Sequence, residues 1–94
     1  MIQNLGGGWV RFVFEEMGEA DVFLVGDFNG WDRTAEPMNW DPLKKCFNVE
    51  LFLAPGKYEY KLLLNKEKLT IDPDNPESVY DGFDGCNSVL RVSA

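Results

Sequence analysis

The chain has 94 residues, 45% hydrophobic and 27% charged, which fits one globular domain with a single modest core and argues against disorder. Nine Lys and Arg stand against sixteen Asp and Glu, and this net charge of −7 disfavours nucleic acid and anionic membrane surfaces while leaving neutral ligands and basic proteins open. There is no histidine, no secretory leader pattern and no apolar run of membrane-spanning length, and two cysteines are too few for a disulfide framework, so the expectation is a cytoplasmic chain with reduced thiols.

In chain order, residues 1–8 (M-I-Q-N-L-G-G-G) read as a flexible lead-in to a single domain spanning 1–94. Residues 9–14 (W-V-R-F-V-F) alternate, with Val10, Phe12 and Phe14 on one face and Trp9 read as a strand-edge core residue. The stretch from Glu15 to Ala20 favours helix by composition but is broken by Gly18 and has no apolar face. Residues 22–28 (V-F-L-V-G-D-F) show little polar alternation, as a central strand would. Residues 46–53 put Phe47, Val49, Leu51 and Leu53 on one side and Cys46, Asn48, Glu50 and Phe52 on the other.

After an A-P-G turn, residues 57–64 turn Tyr58, Tyr60, Leu62 and Leu64 inward and Lys57, Glu59 and Lys61 outward. N-K-E-K has hairpin length, a short strand follows at 68–71, and the prolines of D-P-D-N-P forbid regular sheet interior. The last strand covers 88–92, with Leu90 and Val92 inward. These signals predict an all-β, immunoglobulin-like antiparallel β-sandwich of six to eight short strands.

Four segments carry more than fold: V-F-L-V-G-D-F-N-G-W-D at 22–32, P-G-K-Y-E-Y-K at 55–61, I-D-P-D-N-P at 71–76 and D-G-F-D-G-C-N-S-V-L-R-V at 81–92. Together, in this order, they resemble carbohydrate-binding module family 48. That family includes the glycogen-binding domain of AMP-activated protein kinase β subunits and the modules that precede the catalytic domains of branching enzymes, isoamylases and pullulanases. The resemblance covers roughly residues 9–92 and implies a module for α-1,4-linked glucan with no cofactor.

Each residue it singles out has two readings. Trp31, after the G-D-F-N-G turn, is either a flat plate for the apolar C–H face of glucose or a ring lying over the core edge. Lys61 on an outward strand face is either a donor to sugar hydroxyls or a solubilising surface cation. Asn87 offers the paired donor and acceptor that suit vicinal hydroxyls, or caps a loop. Phe83, in D-G-F-D-G, takes the place of a family loop residue that reaches alongside the glucan, or is an anchor tucked into the core.

The family's second tryptophan, just before T-x-D-P, is Leu69 here, expected to shape the rim of the sugar site with Phe83 but offering no flat face, and losing one stacking plate costs about 1–3 kcal/mol by analogy with base stacking. Trp40, on another loop, either compensates or packs against its neighbours.

Catalysis has little support: no G-x-S-x-G is present, no histidine exists to activate Ser78 or Ser88, and a small sandwich rarely offers the cleft that two glycosidase carboxylates need. Asp72, Asp74, Asp81 and Asp84 sit in D-P and D-G contexts where aspartates usually form turns, so a calcium site from them is not expected. Two functions remain: a non-catalytic α-glucan-binding module, or, as the alternative, a protein-interaction scaffold of the same fold with weak or lost sugar binding, or an accessory domain of an α-glucan-active enzyme.

Overall fold

The structure is a computed structural model and describes residues 2–15, 21–83 and 85–93. Among these residues nine strands occur: β1 (Ile2–Gly6), β2 (Trp9–Phe14), β3 (Val22–Gly26), β4 (Asn39–Asp41), β5 (Cys46–Phe52), β6 (Gly56–Leu64), β7 (Lys68–Thr70), β8 (Ser78–Tyr80) and β9 (Cys86–Val92). A four-stranded sheet, β1-β2-β5-β4, packs on a five-stranded one, β3-β6-β9-β8, with β7 also pairing β6; every pairing is antiparallel. The result is the predicted sandwich. Its additional strands are β1 and two three-residue pieces, β4 and β8, the latter too short for a period-two signal. No helix among the described residues is long and apolar enough to cross a membrane. Most of the helix-prone stretch, 16–20, lies outside the described residues.

The core follows the alternation. Val10, Phe12 and Phe14 of β2 and Phe47 and Val49 of β5 meet Val22, Leu24, Tyr60, Leu62, Leu64, Leu90 and Val92 of the other sheet. Phe12 and Tyr60 contact edge to face across the sandwich at 5.3 Å. Each such large side chain withdrawn from water contributes about 1.5–3 kcal/mol.

Three expectations change. Residues 2–6 are not a flexible lead-in but an edge strand paired to β2; Gly6, Gly7 and Gly8, all at positive φ, form the turn that folds it back. The apolar run at 22–28 is not a central strand. Its strand ends at Gly26 and lies at the end of its sheet, where the next segment covers it: the Leu24 N–H donates to the Glu36 carbonyl (2.9 Å) and the Met38 N–H to the Val22 carbonyl (2.8 Å). Covering an edge this way withholds it from other chains. Trp9 is half exposed rather than core, because the alternation that turns Val10 inward turns Trp9 outward, where it meets Phe52 edge to face at 5.5 Å.

The segment after β7 clamps the end of the sandwich through a polar network. The buried Tyr60 hydroxyl donates to Asp72 Oδ2 (2.8 Å) and accepts from Asn75 Nδ2 (3.1 Å), which also donates to the Val89 carbonyl (2.8 Å). The Asp72 N–H donates to Ser88 Oγ (2.8 Å), and Asp72 Oδ1 accepts the Asp74 N–H (3.0 Å). Asp72 and Asn75 of I-D-P-D-N-P are therefore core fasteners. Burial, and then the Asp72 carboxylate, push the Tyr60 hydroxyl far above the usual tyrosine range.

Gly26 is fixed by close approach. A Cβ there would stand 2.8 Å from the Glu59 carbonyl oxygen and 2.8 Å from the Phe28 ring. Gly26→Ala is expected to cost about 1–3 kcal/mol through overpacking. In a domain of this size that lowers Tm by roughly 4–8 °C per kcal/mol, which a thermal melt would read.

Candidate functional site

The outer face of the five-stranded sheet carries the candidate residues. The register pairs Val25 with Lys61, Glu59 with Val89, and Val79 with Asn87, placing all six on the face turned away from the core. A 3-10 turn, Asp27–Asn29, follows β3 and sets Trp31 at the rim. The turn is held by its own asparagine: the Gly26 N–H donates to Asn29 Oδ1 (3.1 Å) and Asn29 Nδ2 donates to the Leu24 carbonyl (3.0 Å). The Trp31 N–H closes it onto the Gly26 carbonyl (2.8 Å), and Trp31 itself sits at φ 60. A left-handed tryptophan is sterically costly, so the turn must hold it there. Trp31 is 40% exposed, so it is not buried in the core.

Trp31, Lys61, Asp81, Phe83 and Asn87 line one open hollow of about 320 Å³. Four of the five residues expected from sequence come together there. Asn87 forms a polar, nearly buried part of it, with Nδ2 donating to Glu59 Oε1 (3.1 Å). Phe83 is not an anchor in the core: it is 84% exposed, at the tip of the loop before β9. Leu69 is the fifth, and it does not line the hollow. It lies on the same sheet face beside Leu63, one step of about 7 Å along β6 beyond Lys61. Trp40 is remote from the hollow, on β4 of the other sheet, edge to face with Phe47 at 5.0 Å.

Asp81 is the residue that sequence reasoning did not place in the site. Lys61 Nζ donates to its Oδ2 at 2.8 Å, and both side chains are largely buried. Its Oδ1 accepts the Phe83 N–H (2.8 Å) and the Gly85 N–H (3.3 Å). Lys61, then the Phe83 N–H, holds the Asp81 carboxyl below the usual carboxylate range. The local half of this was legible, since aspartate commonly bonds an N–H two residues on. The link to Lys61, twenty residues away, depends on strand order and was not.

A second hollow, of about 360 Å³, lies on the outer face of the other sheet and includes Arg11, Asn48 and Glu50 in its lining. No aromatic ring lines it, so it lacks a stacking plate, and Arg11 there is bound to Glu50 at 2.8 Å.

Among the described residues no group of three or more His, Cys, Asp or Glu is placed to hold a metal ion. Of the four turn aspartates, Asp72 is engaged with Tyr60 and Asp81 with Lys61, and Asp84 lies outside the described residues. Cys46 is buried and Cys86 exposed, and both are free thiols.

The model of a family described as the glycogen recognition site of AMP-activated protein kinase matches residues 9–94. Among solved structures, the crystal structure of maltogenic amylase from S. marinus matches with a TM-score of 0.74 and 22% identity, over 92% of this chain and 14% of that one. That likeness is one of fold, and this chain corresponds to a small part of the amylase's length. No curated protein sequence matches the chain.

Proposed function

Because the chain belongs to the family described as the glycogen recognition site of AMP-activated protein kinase, we propose that it is a non-catalytic module that holds an α-1,4-linked glucan in the hollow beside Trp31. The observation that carries this reading is an exposed tryptophan fixed by its own turn at the rim of a hollow whose other walls are Lys61, Asp81, Phe83 and Asn87. The indole offers a flat face to the C–H side of a glucose ring, leaving the hydroxyls to Lys61, Asn87 and water. An ammonium has three donors, and the bond to Asp81 uses one of Lys61's. The Lys61–Asp81 pair is locally neutral, as suits an uncharged ligand. Asp81 is a poor general acid, because its carboxyl is held down rather than up.

An open site with one tryptophan binds weakly, and its use is as a tether that raises local glucan concentration for whatever it is attached to. The correspondence with a small part of a maltogenic amylase supports the variant in which that attachment is a glucan-active enzyme.

Titration with maltoheptaose, followed by tryptophan fluorescence and amide shifts, tests the reading. Saturation in the millimolar range is expected, and Trp31→Ala should weaken binding by about 10–100-fold. No saturable change, or an affinity indifferent to Trp31→Ala, sinks it. One observation favours the scaffold reading instead: Trp9 and Phe52 form an exposed aromatic pair on the opposite sheet. Silence towards glucan, together with loss of a co-purifying protein in Trp9→Ser, would favour that reading.

A further inference from the structure

Resting on the glucan reading, we propose that Asp81 is a positioning residue of the site, which ties the loop before β9 to Lys61 and thereby holds Phe83 as the site's second aromatic plate. The chain lacks a tryptophan at position 69, and Leu69 stands outside the hollow. A second ring nevertheless lines that hollow, on a loop rather than on a strand.

A phenyl ring 84% exposed at a loop tip gains little from burial, so its own packing does not hold it in place. The loop's bonds do. The Asp81 N–H donates to the Gly85 carbonyl (3.0 Å), closing the loop's ends, and Gly82 makes the bend at φ 89. Inside that ring of backbone, Asp81 Oδ1 accepts the Phe83 and Gly85 N–H groups, and the Tyr80 hydroxyl donates to the Phe83 carbonyl. Both backbone polar groups of Phe83 are thus bound.

The carboxylate's other oxygen is fixed from outside the loop by Lys61, on the central strand of the sheet. Gly85 leaves little slack: a Cβ there would lie 3.3 Å from Asp81 Oδ2. Asp81 thus joins a rigid element to the backbone that carries a solvent-exposed ring, as a ligand-positioning support should. Lys61 is oriented by the same bond, so both groups depend on one carboxylate.

A double-mutant cycle on maltoheptaose affinity tests this. Phe83→Ala is expected to weaken binding about tenfold, Asp81→Ala about as much or slightly more through Lys61, and the double variant no more than Asp81→Ala alone. Asp81→Asn keeps an acceptor for the loop N–H groups and should recover part of the loss. If Asp81→Ala leaves affinity unchanged, or its effect multiplies with that of Phe83→Ala, Asp81 does not act through Phe83 and the proposal fails.

Amide hydrogen exchange without sugar separates this failure from failure of the glucan reading. Faster exchange of the Phe83 and Gly85 N–H groups in Asp81→Ala, with the unmutated chain silent to maltoheptaose, overturns the glucan reading and the sugar role of Asp81 while leaving the loop clamp standing. Unchanged exchange overturns the clamp itself.

Discussion

Asp72→Ala should lose about 3–5 kcal/mol of folding free energy, the largest single effect expected outside the apolar core. The Tyr60 hydroxyl, fully buried, would lose its acceptor, and stranding a buried polar group costs about 1–3 kcal/mol. The carboxylate also accepts the Asp74 N–H, so the segment after β7 loses an anchor, and a bond to a charged group contributes about 1.5–3 kcal/mol. A domain of this length is stable by only about 5–14 kcal/mol, so urea titration should show a large fall in the midpoint.

Tyr60→Phe is the paired measurement, because it removes the hydroxyl while keeping the ring against Phe12. It should cost less, and it should change the pH profile. Below about pH 10 the tyrosine holds its proton in both states and contributes no slope. Above that, the unfolded chain releases the proton while the folded one keeps it, so the unfolded state binds fewer protons and stability falls with rising pH. The contribution is about 1.4 kcal/mol per pH unit, from the raised folded-state value. Urea melts between pH 9 and 11 should show that slope in the unmutated chain and lack it in Tyr60→Phe. An identical slope in both would mean Tyr60 ionises freely in the folded state.

The fold was legible where one face was buried and the other wet, and obscure elsewhere. Phe47, Val49, Leu62, Leu64, Leu90 and Val92 alternate because one side of each strand meets the core. Val22 to Gly26 misled because both faces are dry: Val22 and Leu24 join the core, while Val25 is buried on the outer face behind the site. An edge strand with two apolar faces reads like a central one. Ile2–Gly6 was hidden by the glycines that fold it back, since three consecutive glycines read equally well as tether or hairpin turn.

In the site, the outward placing of Lys61 and Asn87 was legible because strand alternation fixes their face, whereas Trp31 follows the 3-10 turn after β3 and was named from its motif alone. Phe83 could be named but not placed, because nothing local decides whether a loop phenylalanine points in or out. Asp81 joins the site through a contact between β6 and the loop before β9, which only the assembled sheet shows.

Leu69→Trp should raise affinity for maltoheptaose by about 10–100-fold. Leu69 is 37% exposed on the site's own sheet face, paired with Leu63, so a larger ring can be added there without displacing core side chains. An indole would lie roughly one strand step beyond Lys61 and give a glucan already held at Trp31 and Phe83 a further stacking surface towards β7. The substitution also reports direction. If the glucan stops at Trp31 and Phe83 without reaching β7, Leu69→Trp will leave affinity unchanged while Phe83→Ala still weakens it. If both substitutions act, and their effects multiply, the glucan spans the face from β7 to the loop before β9. Calorimetry with maltotriose and maltoheptaose separates these cases. A gain with maltoheptaose but not with maltotriose places position 69 at a subsite that only the longer sugar reaches, and no gain with either removes β7 from the binding surface.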